Sequence, residues 1–386
     1  MIYLDNAATS YPKPGAVSDA ILLSMKNSGG NPGRSSHSMS ASASIEIFEA
    51  RRELAGLFSA KPENIIFTYN ATYAINIALK SSYVYGTHIL ISDLEHNSVL
   101  RPVAAVTGNS FSSYSFFDSC VEKSENERRH AVISSIRSKM RPLTKTLICT
   151  ARSNITGAAL PIREIGRFCR ENDIFFIVDA AQSAGYDDID VELDYIDALC
   201  VPGHKGLYGP SGTGFVVYSE HGASCGRVGS FIEGGTGVAS FDIGMPTTFP
   251  EQLEAGTLAV ASISGLRAGV GYITNIGLKN IREHESNLVR RAYMSLSFNE
   301  KINFYGFTPS SSLLLFNINS ISPEETASML DNKGICVRAG FHCAPVAHKR
   351  IGTPPSGAVR MSAGIQNSIE EIDIFIKAVN EISANT

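Results

Sequence analysis

Between residues 65 and 218 the chain alternates short apolar, β-rich runs with amphipathic segments, and this alternation restricts the fold more than any other feature. One run ends at Phe67-Thr68, and His88 to Ser92, Thr146 to Thr150, Ile174 to Val178 and Gly214 to Tyr218 follow. Helical patterns lie between them, for example Ile162 to Asn172. Nearly continuous apolar runs suit strands buried on both faces, and the intervening helices supply the crossovers between parallel neighbours. The expected class is therefore α/β, with a mostly parallel central sheet and helices on both faces. Ligands of such sheets gather at the carboxyl ends of the strands. Asp179, Glu95-His96 and Ser153-Asn154 fall at those ends.

At 386 residues the chain exceeds what one core usually holds, so two domains are expected. Beyond about residue 260 longer helical patterns appear, Val260 to Ile276 and Asn280 to Ser297, with fewer and shorter strands. The expected division is a large α/β domain over 15–259 and a smaller α+β domain formed by 1–14 and 260–386. A formal charge of −4, with 18% charged residues, offers no positive field for nucleic acid or an anionic membrane. No apolar run reaches the ~20 residues that span a bilayer. Met1-Ile-Tyr-Leu-Asp5 lacks the basic and apolar regions of a signal peptide, so a cytoplasmic location is expected. The seven cysteines are odd in number and widely spread, which reads as reduced thiols, one of them a candidate for reactivity.

The run Ile174-Phe-Phe-Ile-Val-Asp179 ends in a carboxylate, and Gly203-His204-Lys205-Gly206 follows. Together they are what pyridoxal phosphate requires: a carboxylate under the pyridinium nitrogen and a lysine to condense with the aldehyde. Each half alone has a plainer reading, as a structural acceptor and as a solvated loop lysine. Phosphate needs backbone donors and a hydroxyl, preferably at a helix N-terminus. Ala71 and Thr72, between the run Ile65-Ile-Phe67 and the helical pattern from Ala74, offer them; the alternative is a cap without a ligand. Gly234-Gly235-Thr236-Gly237 is a second place where backbone can approach an anion closely.

An ordered set of motifs extends these readings. Tyr3-Leu-Asp-Asn-Ala-Ala-Thr9, Asn31-Pro-Gly-Arg34, Asn70-Ala-Thr72, Glu95-His-Asn-Ser98, Ser153-Asn154, Asp179-Ala-Ala-Gln182, Gly203-His-Lys205, Glu254-Ala-Gly-Thr257 and Val337-Arg-Ala-Gly-Phe-His-Cys343 occur in this order. The chain thereby resembles the class V aminotransferase-fold enzymes, and within them the cysteine desulfurase and selenocysteine lyase branch. The resemblance implies the pyridoxal phosphate-dependent transferase fold of type I and pyridoxal 5'-phosphate as cofactor. It implies Lys205 as the Schiff-base lysine, Asp179 as the pyridinium partner, Gln182 on the ring hydroxyl and His96 stacked on the ring. Thr72, with Ala71, and His204 would hold the phosphate, joined by Gly235 and Thr236 of the second subunit of a homodimer. Asn154 and Arg360 would orient the substrate, Arg360 gripping its carboxylate with two parallel bonds.

Cys343 lies in a segment containing glycine and ending in proline, Arg338-Ala-Gly-Phe-His342-Cys343-Ala-Pro345, which reads as a loop. Arg338 and His342 are placed to favour its thiolate and to meet the substrate. A buried, inert cysteine is one alternative. Another is a metal site from Cys336, His342, Cys343 and His348, but paired Cys-x-x-Cys spacing is lacking and no metal is expected. The resemblance makes Cys343 the nucleophile that takes sulfur from L-cysteine as a persulfide, leaving L-alanine, before an unidentified acceptor protein receives it. L-Selenocysteine as substrate, or an aminotransferase or other lyase in which Cys343 is incidental, stays open. Four positions depart from the family pattern: Pro202, Ala151, Arg152 and Leu258. Arg152 reads as a surface residue or as added charge near the substrate.

Overall fold

Strands buried on both faces form where the apolar runs are, because every side chain along them has a neighbour to fill. Phe175–Asp179, Ala198–Pro202 and Gly214–Tyr218 are buried at every position. The computed structural model describes residues 1–33 and 37–385, so Arg34 of the Asn31-Pro-Gly-Arg34 motif lies outside the described residues. Among these, one sheet has seven strands, in the spatial order 65–68, 214–218, 198–202, 175–179, 144–150, 88–92 and 113–117. Only Gly214–Tyr218 runs against its neighbours; the other adjacent pairs are parallel. The sheet is thus mostly parallel.

Alternate side chains of each strand feed two cores, one per face. On one face Ile89, Ile91, Ile148, Phe175 and Ile177 pack with Ala74, Ile75, Ala78 and Val99 from helices Ala71–Ser82 and Asn97–Thr107. On the other, Leu90, Leu147, Phe176, Val178 and Val217 meet Leu54, Val132 and Ile165 from helices Ser38–Phe58, Glu125–Lys139 and Ile162–Glu171. Each valine, leucine, isoleucine or phenylalanine so withdrawn from water contributes roughly 1.5–3 kcal/mol. Two strands escape the sequence pattern. Ser113–Phe117 lies at the sheet edge with partly open faces, and Ala198–Pro202 is a short run closed by proline.

A separate core gathers Leu4, Leu288, Val289, Phe316, Ile335, Phe375 and Val379. Around it stand an antiparallel sheet in the order 338–340, 358–362, 313–318, 302–304, and helices Leu278–Leu296 and Ile369–Ala384. The N-terminal pair Ile2–Tyr3 joins this unit by parallel pairing with Ile335–Cys336. Helix Val260–Ile276 has the bounds read from sequence, yet Ile263, Leu266, Val270 and Ile273 enter the core beneath the large sheet. Its glycines permit this approach. A Cβ on Gly269 would stand 2.3 Å from the Leu207 carbonyl oxygen, just behind the Lys205 turn. Among the described residues no helix is long and apolar enough to cross a membrane.

Candidate active site

Parallel strands deliver their following loops to one edge, and there the polar residues singled out in the sequence converge on a cavity of about 360 Å³. Its walls include Ala71, Thr72, His96, Asn154, Asp179, Gln182, His204, Lys205, Arg338, His342, Cys343 and Arg360. Gly235 and Thr236 are elsewhere. They lie in an outlying segment where the Gly235 carbonyl accepts from the Gly256 amide at 2.8 Å.

Lys205 follows the Ala198–Pro202 strand in a turn closed by Tyr208 N donating to the Lys205 carbonyl at 2.8 Å and Gly209 N to that of Gly203 at 2.8 Å. The turn presses on Gly185, whose φ of +83° is left-handed and whose Cβ would lie 2.2 Å from the Gly206 carbonyl oxygen. A side chain there would push the lysine out of place. No ion pair engages the Lys205 amine among the described residues. Burial, then the charge of Arg360, lowers its pKa to about 8, against the opposing pull of Asp179.

Asp179 closes the central strand, 2% exposed, and its Oδ1 accepts from the Ala181 amide at 2.9 Å. Burial raises its pKa, so the carboxylate gains from any cationic N–H donor that reaches it. Gln182 Nε2 donates to the Ala7 carbonyl at 2.9 Å. His96 caps helix Asn97–Thr107, its Nδ1 accepting from the Ser98 amide at 3.0 Å. In the neutral ring the proton therefore sits on Nε2. Burial, then Lys205 and Arg360, push its pKa down to about 4 and keep it neutral.

Asn70 caps helix Ala71–Ser82 by accepting from the Tyr73 amide at 3.1 Å. The amides of Ala71 and Thr72 have no partner among the described residues and stand at the positive end of that helix, beside the cavity. Nearby, buried His204 Nδ1 also lacks a partner among the described residues. An unpaired amine, a buried carboxyl short of a cation, and unmet donors at a helix start together fit a pyridoxal phosphate: aldehyde, ring nitrogen and phosphate respectively.

Beside Arg360, a residue expected in the site, stands Asp5, which sequence reasoning left out of it. Arg360 is 2% exposed; its Nη2 pairs with Asp5 Oδ1 at 3.0 Å and its Nη1 donates to the Asn154 carbonyl at 2.9 Å. Its buried Nε has no partner among the described residues. Asp5 also approaches Arg338 at 3.8 Å. The signal was present in the Tyr3-Leu-Asp5 motif, but only the fold brings that aspartate to an arginine so distant in sequence.

Cys343 is exposed at the cavity mouth, and all seven cysteines are free. The other metal-site candidates do not converge: Cys336 pairs along Tyr3, while His342 and His348 stack, Nδ1 to Nε2 at 3.1 Å. Burial pushes His342 to about 3 and His348 to about 4, so both are neutral. Arg152 is neither on the surface nor in the cavity. It is 4% exposed and binds Asp187 with two parallel bonds of 2.8 and 2.7 Å, beneath the Tyr186 ring. A buried guanidinium needs this neutralisation, which a surface reading overlooked. Pro202 borders the cavity, Ala151 is buried, and Leu258 packs against the main core.

A lysine at the end of a buried strand, an aspartate at the end of its parallel neighbour and an anion cradle at a helix start define the class. The family model of class-V aminotransferases matches residues 2–375, and the chain belongs to that family. Its relatives there are cysteine desulfurases. A probable cysteine desulfurase of Methanothermobacter thermautotrophicus is 32% identical, over 99% of this chain and 94% of its own. One from Synechocystis is 31% identical over 98% and 90%. The solved apo cysteine desulfurase of Thermococcus onnurineus superimposes with a TM-score of 0.90 at 30% identity, covering 100% of this chain and 95% of its own.

Proposed function

We propose that this protein is a pyridoxal phosphate-dependent cysteine desulfurase that converts L-cysteine to L-alanine and takes the sulfur on Cys343 as a persulfide. The observation that carries the reading is one cavity holding Lys205, Asp179, His96, Arg360 and an exposed Cys343. In the overall change the substrate C–S bond breaks and an S–S bond to Cys343 forms. The side-chain carbon is reduced, the transferred sulfur is oxidised, and of the two thiol protons one ends on carbon while the other stays with the persulfide. When bound, pyridoxal phosphate supplies the electron sink for the pair left at Cα.

The chain's own groups do the rest. Lys205, lowered to about 8, is neutral often enough near neutral pH to attack a carbonyl and to take a proton. Asp179 offers the anion that holds a proton on a ring nitrogen, and Thr72, the helix-start amides and His204 offer the phosphate donors. Neutral His96 presents its Nε2–H to the cavity's ligands. Arg360, steadied by Asp5 and the Asn154 carbonyl, keeps Nε for the substrate carboxylate. Gln182 and Asn154 border the ring position, while Arg338 and His342 flank the thiol.

The working unit in this reading is a cytoplasmic homodimer, with Gly235 and Thr236 completing the partner's phosphate site. Support comes from their position outside this chain's own cavity and from Phe241 and Ile243, fully exposed on the same segment. Within one chain we divide the molecule at the proposed residue 260, with helix Val260–Ile276 remaining packed on the large sheet. The exposure of Cys343 suits hand-over to an acceptor protein. The test is alanine released from L-cysteine by the cofactor-loaded protein, wild type beside Cys343→Ala. Alanine from the wild type and little from the variant is expected; equal amounts from both would remove Cys343 from the chemistry.

A further inference from the structure

The nucleophile's segment is held in a conformation that side-chain-bearing residues avoid. His342 and Cys343 both have left-handed φ, 50° and 55°. Consecutive residues of this kind persist only where their surroundings impose the conformation. Here both carbonyls are captured. Asn154 Nδ2 donates to the His342 carbonyl at 2.9 Å, and the Asn97 amide donates to the Cys343 carbonyl at 2.7 Å. Each donor is contiguous with the site, Asn97 following His96 directly.

Helix Pro345–Ile351, immediately after, is fixed from its far end. Arg350 Nε donates to Asp93 Oδ2 at 2.9 Å, and its Nη2 to Asp118 Oδ1 at 2.9 Å and Glu122 Oε2 at 2.6 Å. Asp118, Cys120 and Glu122 lie close enough together to suggest a metal site, but the cation their two carboxylates already hold is Arg350. Asp93 belongs to the turn that leads into Glu95 and His96, and its other oxygen accepts from the Ser119 amide at 3.0 Å. One guanidinium therefore ties the Cys343 helix to the loop that carries His96.

We infer that Arg350 is a positioning residue for sulfur transfer, a latch whose three carboxylates hold Cys343 in its left-handed position above the site. This rests on the proposed transfer of sulfur to Cys343. With the latch closed, the thiol's distance from the bound substrate is fixed; with it open, the segment relaxes toward ordinary backbone and the thiol swings away. Two of the three carboxylates are about half exposed, Asp118 at 50% and Glu122 at 56%, so salt weakens the latch. A planar guanidinium can serve three acceptors at once, which an ammonium does poorly.

The experiment uses the cofactor-loaded protein, comparing wild type with Arg350→Gln, Arg350→Lys and Glu122→Gln, the last at an exposed position where folding is not at issue. Amide hydrogen exchange over 341–351 is measured beside kcat and KM for alanine formation. Arg350→Gln is expected to speed exchange there by ~10-fold, with the central strands unchanged. Its kcat should fall by ~10-fold while KM stays within about twofold, because misplacement of a reacting group is felt in the chemical step and the Arg360 anchor is intact. Glu122→Gln should move both readouts the same way by less, and Arg350→Lys should recover part of the loss. At saturating cysteine, added salt should lower the wild-type kcat toward that of Arg350→Gln. Unchanged exchange in Arg350→Gln and Glu122→Gln overturns the latch, as does an unchanged kcat with faster exchange. Failure of the underlying reading shows itself separately, as alanine made by Cys343→Ala with Arg350 in place.

Discussion

Replacing Asp187 with Asn keeps the shape of the side chain but withdraws the anion from Arg152, and the structure sets the size of the result. Arg152 is 4% exposed and makes two parallel bonds to Asp187, with remaining acceptors at the Gly157 carbonyl, 2.5 Å, and the Ser310 carbonyl, 3.4 Å. These carbonyls hold part of the guanidinium but carry no charge. Breaking a buried pair from one side costs about 3–5 kcal/mol, and partial exposure of Asp187 together with the surviving bonds puts this case at the lower end, ~3 kcal/mol. For a chain of this length unfolding as one unit, the unfolding entropy is about 0.8 kcal/mol per kelvin, so the melting temperature should fall by about 4 °C. Calorimetry at fixed protein and cofactor concentration measures it. Replacing the pair together, Arg152→Met with Asp187→Leu, should restore most of the loss, because no uncompensated charge is left behind. A shift under about 1 °C for Asp187→Asn would mean that Arg152 reaches water on losing its partner, and the argument from burial would be wrong.

Two further predictions concern protons. Apo-protein should take up pyridoxal phosphate faster as pH rises, with half-maximal rate near 8 and a plateau above it, because the Lys205 amine lowered to about 8 must be neutral to attack; stopped-flow absorbance checks it, and a midpoint near the ordinary lysine value would contradict the site's electrostatics. Glu95 accepts from the Thr150 amide at 2.9 Å and from the Ser92 hydroxyl, and burial raises its pKa to about 8. Between its ordinary value and 8 the folded state binds more protons there than the unfolded state, so wild-type stability falls as pH rises through that window. Glu95→Gln removes this dependence, and its melting point should gain on wild type from pH 5 to pH 8; a constant difference would refute it.

The sheet's interior was legible because its strands carry apolar side chains on both faces: Phe175–Asp179 and Gly214–Tyr218 leave no other place to go. Ser113–Phe117 was not, since an edge strand with an exposed Tyr114 has weak patterning, and Ala198–Pro202 was hidden by its shortness and its proline. Helix Val260–Ile276 shows the limit of periodicity, which gave its length but not its neighbours. Gly265 and Gly269 decided those, through contacts with Ile21 and Leu207 that no local pattern encodes. In the site, residues at strand ends were readable because parallel strands share one exit edge. Arg152 and Asp5 were misjudged or missed because the partner of a charge is a three-dimensional fact, as are the three acids around Arg350.

The pairing of Asp5 with Arg360 also orders events in time. On a ribosome Ile2–Tyr3 and Asp5 emerge before the large sheet, while Ile335–Cys336 and Arg360, which they must meet, emerge after it. The large sheet has all its strands by Tyr218 and can form while translation continues. The Asp5–Arg360 pair, the proposed anchor of the substrate, cannot. A nascent chain thus passes through a stage in which the strand ends and helix start around the cavity are built while Arg360 is still missing, and the cavity is complete only when Asp5 meets that arginine.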